Sequence, residues 1–315
     1  MRAAKSFDVL TPADLCVDLL LWGPGVVPEF GQKEKLVDGY LLELGGSCSI
    51  FACQAAKLGL RTALIGKVGR DALGELVVNR LAQAGVDARW VERSPDLITG
   101  LGVALCTADD RAILTYPGSL AALEPADLTD AILGSARHLH IGSYYLQTGL
   151  RPAMPGILAR ARRLGLSVSL DTNWDPAEEW RGLDEILPLV DLFLPNENEL
   201  LAVTGRSCLE DALRSLTERA PGLTVLVKRG ELGAAAWRRG TLHHCPPPRV
   251  DTILDAVGAG DSFDAGAVHG FLQGAALPEM LRRGCICGAR SLSRRGGIAG
   301  QIRLDEMEVL LNTRS

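Results

Sequence analysis

Apolar residues in this chain fall into short dense blocks, and the blocks alternate with stretches whose apolar positions repeat every three or four residues. Short blocks apolar on both faces read as strands covered on two sides, and the 3.6-residue repeat reads as helix. Residues 7–17 form the first such strand, running into Asp18. Residues 24–44 alternate in short stretches broken by Gly and Pro, as in a small sheet standing off a main body. Gly45-Gly46-Ser47 then opens a helix, with Ser47 as its N-cap, that Gly59 closes. A strand at 61–66 and a helix from about 71 to 84, preceded by Asp71 as its cap, continue the rhythm.

Strands return over 87–115, with Gly100 to Cys106 and Arg111 to Tyr116 joined by Asp109-Asp110 as a hairpin. From there the alternation is steady. Strands at His138 to Ile141, Ser167 to Asp171, Val190 to Leu194 and Thr224 to Lys228 are separated by helices at 151–164 and within 197–219, and a small-residue helix, Asp264 to Leu272, follows later. This order predicts an α/β fold: three layers, a mostly parallel sheet flanked by helices, with a small β-sheet lid. The whole chain, 1–315, reads as one domain, with lid segments at about 19–44 and 87–117.

Composition narrows the function. With 315 residues, 47% hydrophobic and 23% charged, the chain can bury a sizeable core. A net charge of −5 and the lack of any basic block interleaved with aromatics exclude a nucleic-acid surface. Asp8, Asp14 and Asp18 interrupt the only early apolar stretch, so neither a signal peptide nor a membrane span is expected. The eight cysteines form no CxxC pair and read as reduced thiols of a cytoplasmic protein. His243-His244 beside Cys245 lacks a fourth metal ligand and reads as a surface pair.

The candidate chemistry lies near the C-terminus, in Gly258-Ala259-Gly260-Asp261. Glycines at a helix start let backbone N–H groups turn outward toward an anion. A carboxylate beside such a turn is badly placed to bind phosphate but well placed to take a proton from a hydroxyl attacking it. The bland alternative is a tight turn with a first-turn acid.

Other polar residues gather at strand ends, where α/β sheets bind ligands: Ser143, Asp171 with Asn173, Asn196 with Glu199, and Lys228. Asp18 is suited to grip two sugar hydroxyls, or to cap a helix or pair with a cation. Gly45-Gly46 is either loop punctuation or bare backbone for a hydroxylated substrate. Asn196 and Glu199 are either a capped helix start or a phosphate contact and a holder of waters around Mg²⁺. Lys228-Arg229-Gly230 with Gly233 is a hairpin end or a cationic nucleotide edge. Trp174 and Trp180 read as packing residues with an exposed edge. Neither GxGxxG after the first strand nor GxxxxGK[ST] occurs, so dehydrogenase and P-loop readings fail.

Assembled in order, these pieces resemble the ribokinase (PfkB-type) carbohydrate kinases over nearly the whole chain: Asp18, Gly45-Gly46, Gly66 to Gly74, Thr99-Gly100, Tyr116 to Ser119, Asp171-Thr172-Asn173, Asn196 to Glu199, Lys228 to Gly233, and Asp255 to Asp261. The resemblance implies an ATP-dependent kinase that phosphorylates a sugar hydroxymethyl group. Asp261 would be the general base, and the N–H groups of Ala259, Gly260 and Asp261, turned outward after Gly258, would hold the phosphate. Asp18 and Gly45-Gly46 would bind the sugar, Asn196 and Glu199 would serve phosphate and Mg²⁺, and Lys228, Gly230 and Gly233 would border the nucleotide. It further implies a K⁺ site at Asp255 and Val257 with a segment around Ser291 to Gly300, and a lid that excludes water and pairs two subunits into a homodimer.

Three positions depart from the family pattern. Ile50 stands where an asparagine often contacts the sugar, Ala256 replaces a threonine, and Trp174-Asp175-Pro176 stands where an arginine is common. A nucleoside kinase would need an aromatic platform from the lid, for which Trp22, Phe30 and Tyr40 are the candidates. A sugar-sensing module without catalysis would need neither Asp261 nor its glycines.

Overall fold

The computed structural model describes residues 5–107 and 111–313; the Asp109-Asp110 hairpin lies outside them. The strands are β1 (Phe7–Pro12), β2 (Cys16–Trp22), β3 (Gly39–Gly45), β4 (Thr62–Gly69), β5 (Asp87–Ser94), β6 (Gly100–Cys106), β7 (Arg111–Tyr116), β8 (Ala136–Ile141), β9 (Ser167–Leu170), β10 (Leu192–Phe193), β11 (Thr224–Lys228), β12 (Ala234–Arg238) and β13 (Thr241–Cys245). The helices are α1 (Ser47–Lys57), α2 (Ala72–Gln83), α3 (Asp130–Gly134), α4 (Met154–Arg163), α5 (Leu183–Ile186), α6 (Glu197–Thr204), α7 (Leu209–Arg219), α8 (Ala259–Leu272), α9 (Leu277–Ser291) and α10 (Leu304–Asn312).

Nine strands form one sheet in the order β13-β12-β11-β10-β9-β8-β1-β4-β5. The strands from β11 through β5 pair in parallel, and β12 and β13 close one edge antiparallel. Successive residues of its strands feed opposite cores. Val9, Leu192 and Leu226 pack with Phe51, Phe263 and Leu281 on one face, while Leu10, Phe193 and Val225 pack with Met154, Ile157 and Leu213 on the other. Both faces are therefore apolar, which is why these strands read as blocks rather than as alternation.

Four strands, in the order β3-β2-β6-β7, make the small sheet. Two expectations about it are corrected. The strand expected over 7–17 is two strands: the chain leaves the large sheet after Pro12 and enters the small one at Cys16. Asp18 thus lies inside a lid strand, paired in register with Glu43 and Gly102, and not at the end of a large-sheet strand. The second lid segment is also shorter than 87–117, because β5 pairs with β4 at the edge of the large sheet.

β1 is followed by β4 on one side and flanked by β8 on the other, so the chain reverses direction across the sheet between β1 and β8. Open α/β sheets leave a crevice at the carboxyl ends of strands at such a point. Asp14, just past β1, and Ser143, just past β8, meet there.

Candidate active site

Two cavities meet at the start of α8. One, of about 810 Å³, is walled by Asp14, Asp18, Ser47, Asn173, Trp174 and Asp261 among others. The other, of about 510 Å³, is an apolar slot bounded by Pro247, Val250, Phe263, Ala289 and Leu292. Lys228, Gly230, Ala256 and Gly260 belong to both walls.

The junction is the anion turn. Gly258 has φ +74°, and a Cβ there would lie 2.8 Å from both Gly297 Cα and Ile50 Cγ2, so the turn admits no side chain. The N–H of Ala259 makes a long 3.4 Å bond to Ala256 O, whereas those of Gly260 and Asp261 have no acceptor among the described residues. The open donors are thus two of the three expected, at the positive end of a fourteen-residue helix. Asp261, in the first turn, has its carboxyl pushed up to about 7, chiefly by burial and then by the negative charge of Asp171. A hydrogen bond from Ser47 opposes the rise.

Ser47 belongs to a chain of polar groups that sequence reasoning missed as a unit. Asn173 Nδ2 donates to Ser47 Oγ at 2.6 Å and to Ser143 Oγ at 3.2 Å, and Ser143 Oγ donates to Asp14 at 2.6 Å. Asp14 also accepts from the N–H groups of Ser47 and Cys48, at 3.1 and 3.0 Å. It therefore caps α1 from 33 residues upstream, and the expected Ser47 cap is not made. Burial raises the Asp14 carboxyl above its usual range. The available signal was a carboxylate in the middle of the apolar run 7–17, which must find donors if it is buried.

Asp18 lies over two glycines. Added Cβ atoms at Gly45 and Gly102 would fall 2.5 and 2.6 Å from its carboxylate, so only glycine on both neighbouring strands leaves it room. The Cys16 thiol lies within weak hydrogen-bond reach of it, at 4.0 Å. Burial first, then Asp14, lifts the Asp18 carboxyl to about 6, against the pull of Arg111. Gly46 has φ +85° and a Cβ there would strike Asp14 O at 2.0 Å. Ile50 is buried, and its side chain shores up Gly258 and Gly297 from below.

At the other end, Lys228 is not a solvated cation. Its Nζ lies 2.7 Å from Asp171 and 3.2 Å from Asp264, both buried, and 3.5 Å from where a Gly260 Cβ would be. Burial works against its charge, but the Asp171, Asp264 and Glu199 carboxylates outweigh it and raise the ammonium pKa. Burial pushes the Asp264 carboxyl well above the usual carboxylate range, whereas at Asp171 the Lys228 ammonium and hydrogen bonds outweigh burial and hold the carboxyl below it.

Asn196 and Glu199 form a reciprocal capping box: Asn196 Oδ1 accepts from Glu199 N at 2.9 Å, and Glu199 accepts from Asn196 N at 2.8 Å. Both still line the larger cavity. One oxygen of Glu199 has no donor among the described residues, and burial lifts its carboxyl to about 7. Gly230 and Gly233 bound the turn between β11 and β12 on the wall of the slot. Asp255 spends each oxygen on a backbone N–H, of Val257 at 3.0 Å and of Gly296 at 2.8 Å. The carboxylate itself thus ties the 291–300 segment to the anion turn. No group of three or more His, Cys, Asp or Glu suited to a metal occurs among the described residues, and no helix there is long and apolar enough to cross a membrane. Phe30 is wholly exposed, Tyr40 largely so, and Trp22 lies under Arg295 at 4.3 Å; none of the three lines the larger cavity.

A large parallel sheet with a small sheet over a helix-start anion turn defines a phosphoryl-transfer enzyme of the carbohydrate kinase class. The chain belongs to the pfkB family carbohydrate kinases, whose pattern matches residues 25–303. It is 30% identical over 293 residues to the 2-dehydro-3-deoxygluconokinase of Bacillus subtilis, covering 86% of this chain and 87% of that one. It is 29% identical over 288 residues to a fructokinase of Klebsiella pneumoniae, covering 86% and 93%. Among solved structures it is similar to an E. coli protein assigned as a ribokinase II, in complex with ATP and Mg²⁺, at TM-score 0.84 and 26% identity, with 97% of this chain and 99% of that one covered.

Proposed function

We propose that this protein transfers the terminal phosphoryl group of ATP to a hydroxymethyl group of a sugar, with Asp261 as general base. The observation that carries the reading is the position of Asp261 between open backbone donors and a row of hydroxyl-binding groups. On one side are the N–H groups of Gly260 and Asp261 and the apolar slot, suited to a base and its phosphates. On the other are Ser47, Asn173, Asp14 and Asp18, suited to several hydroxyls. The acceptor hydroxyl would lie against Asp261, which takes its proton as the oxygen attacks, and the open N–H groups would meet the charge that builds on the phosphoryl oxygens. Bound with ATP, Mg²⁺ neutralises phosphate charge. Glu199, with one oxygen left for a water, and Asn196 beside it are the residues that would hold its hydration shell. The similar ATP and Mg²⁺ complex supports this donor and ion.

An ADP-release assay with a panel of ketoses, aldoses, sugar acids and nucleosides tests the reading; it fails if none of them stimulates ADP release. Two further outcomes follow. Asp18→Ala raises the acceptor KM by about tenfold or more, since a hydrogen bond to a charged group is lost, and leaves the ATP KM within about twofold. Equal effects on both would remove Asp18 from the acceptor site. The base must be ionised to act, so kcat/KM falls about tenfold per pH unit below the Asp261 pKa of about 7. A flat profile between pH 5 and 8 would contradict that role.

A further inference from the structure

Of the five tryptophans, Trp174 alone has nearly half of its surface, 47%, exposed, and it lines the larger cavity. It stands in the wall of a concave site, so its open face is available to whatever occupies that site. The indole is also held firmly. It meets Trp180 edge-on at 5.0 Å and 89°, and Trp180 meets the buried Tyr145 edge-on at 5.6 Å and 88°.

The backbone around it is fixed as well. Asp175, buried, accepts from the N–H groups of Ala177, Glu179 and Trp180 at 3.0, 3.0 and 2.8 Å. Asn173, Glu178 and Trp180 all have φ between 52° and 54°. Three non-glycine residues in the left-handed region within eight positions are costly and persist where a site needs them. The residue before Trp174 is Asn173, which donates to Ser47 and Ser143 in the hydroxyl-binding row.

A rigid apolar plate beside carboxylates and hydroxyls is complementary to a molecule with a flat C–H face and a rim of hydroxyl groups. Such C–H groups carry slight positive charge and favour the negative face of an indole. We infer that Trp174 is a specificity-determining residue whose indole receives the C–H face of a ring-closed sugar acceptor. The inference rests on the kinase reading above and deepens it: an open-chain acceptor offers no such face. Trp174 thus does more than pack, and the aromatic wall of the site comes from the 171–182 segment and not from the lid.

Trp174→Ala and Trp174→Phe test it. Trp174→Ala should raise the KM of the best acceptor about tenfold with the ATP KM within about twofold, and Trp174→Phe should recover most of the loss. Titrating the wild type with that sugar, without ATP, should change the tryptophan emission, and Trp174→Phe should abolish the change. An acceptor KM within twofold of wild type in a Trp174→Ala variant of unchanged Tm would overturn the inference. So would an emission change that persists in Trp174→Phe, or an open-chain acceptor preferred over ring-closed ones. A wild type that phosphorylates no sugar would count against the kinase reading alone. The titration then still decides the contact: emission responding to a sugar through Trp174 supports it, and no response to any sugar overturns it.

Discussion

Asp261→Asn lowers phosphoryl transfer to the best acceptor by about 10²–10⁴-fold, the span of a lost general base, while ATP binding persists. The amide keeps the shape of the side chain and the open N–H groups of the turn but cannot take a proton. Because the transition state of phosphoryl transfer is stabilised mostly by positioning and charge, some turnover remains. The same variant should be more stable than the wild type at neutral to alkaline pH. The native Asp261 pKa, about 7, lies above the ordinary value of 3.8, so the native state binds a proton that the unfolded chain releases. That contribution is fully present below about pH 4 and is lost as pH rises through 7. Asn carries no such charge, so Asp261→Asn gains on the order of 2–4 kcal/mol relative to wild type at pH 8, and the difference shrinks toward pH 5. Urea unfolding of both proteins at the two pH values checks it; a variant less stable than wild type at pH 8 contradicts the buried, ionised base.

Lys228→Met is the second large effect. Lys228 joins the end of β11 to Asp171 past the end of β9 and to Asp264 in the second turn of α8. Removing one partner of a buried ion cluster leaves the others without compensation, at a cost of about 3–5 kcal/mol. The loss should be largest at pH 8, where both aspartates are pressed to ionise, and adding Asp171→Asn to Lys228→Met should recover part of it. The site would suffer too, because the lysine lies directly beneath Gly260. A denaturation midpoint unchanged in Lys228→Met would show that the cluster does not hold the anion turn in place.

Much of this was legible in the sequence, for physical reasons that differ by element. The parallel strands announce themselves because both faces are buried, and the anion turn because only glycine fits at Gly258. The break between β1 and β2 did not, because residues 7 to 17 are all buried while they pass from one sheet to the other. Hydropathy reports burial and not the identity of the sheet. β5 misled for the opposite reason: as an edge strand it is largely half-exposed or exposed, like a strand of the lid.

The polar network was the least legible part. Asp14 caps α1 from 33 residues away, and Lys228 meets Asp171 and Asp264 across 57 and 36 residues. No local pattern encodes such contacts. What the sequence did show was carboxylates and a lysine at strand ends, without the pairing that joins them in an internal ion cluster.

The most direct test of the central claim counts ADP and phosphorylated sugar together, in the wild type and in Asp261→Asn. The account predicts one phosphorylated sugar per ADP, with the phosphate on a hydroxymethyl oxygen, Mg²⁺-dependent and nearly absent from the variant. ADP release that no sugar stimulates, or turnover by Asp261→Asn close to that of the wild type, would contradict it.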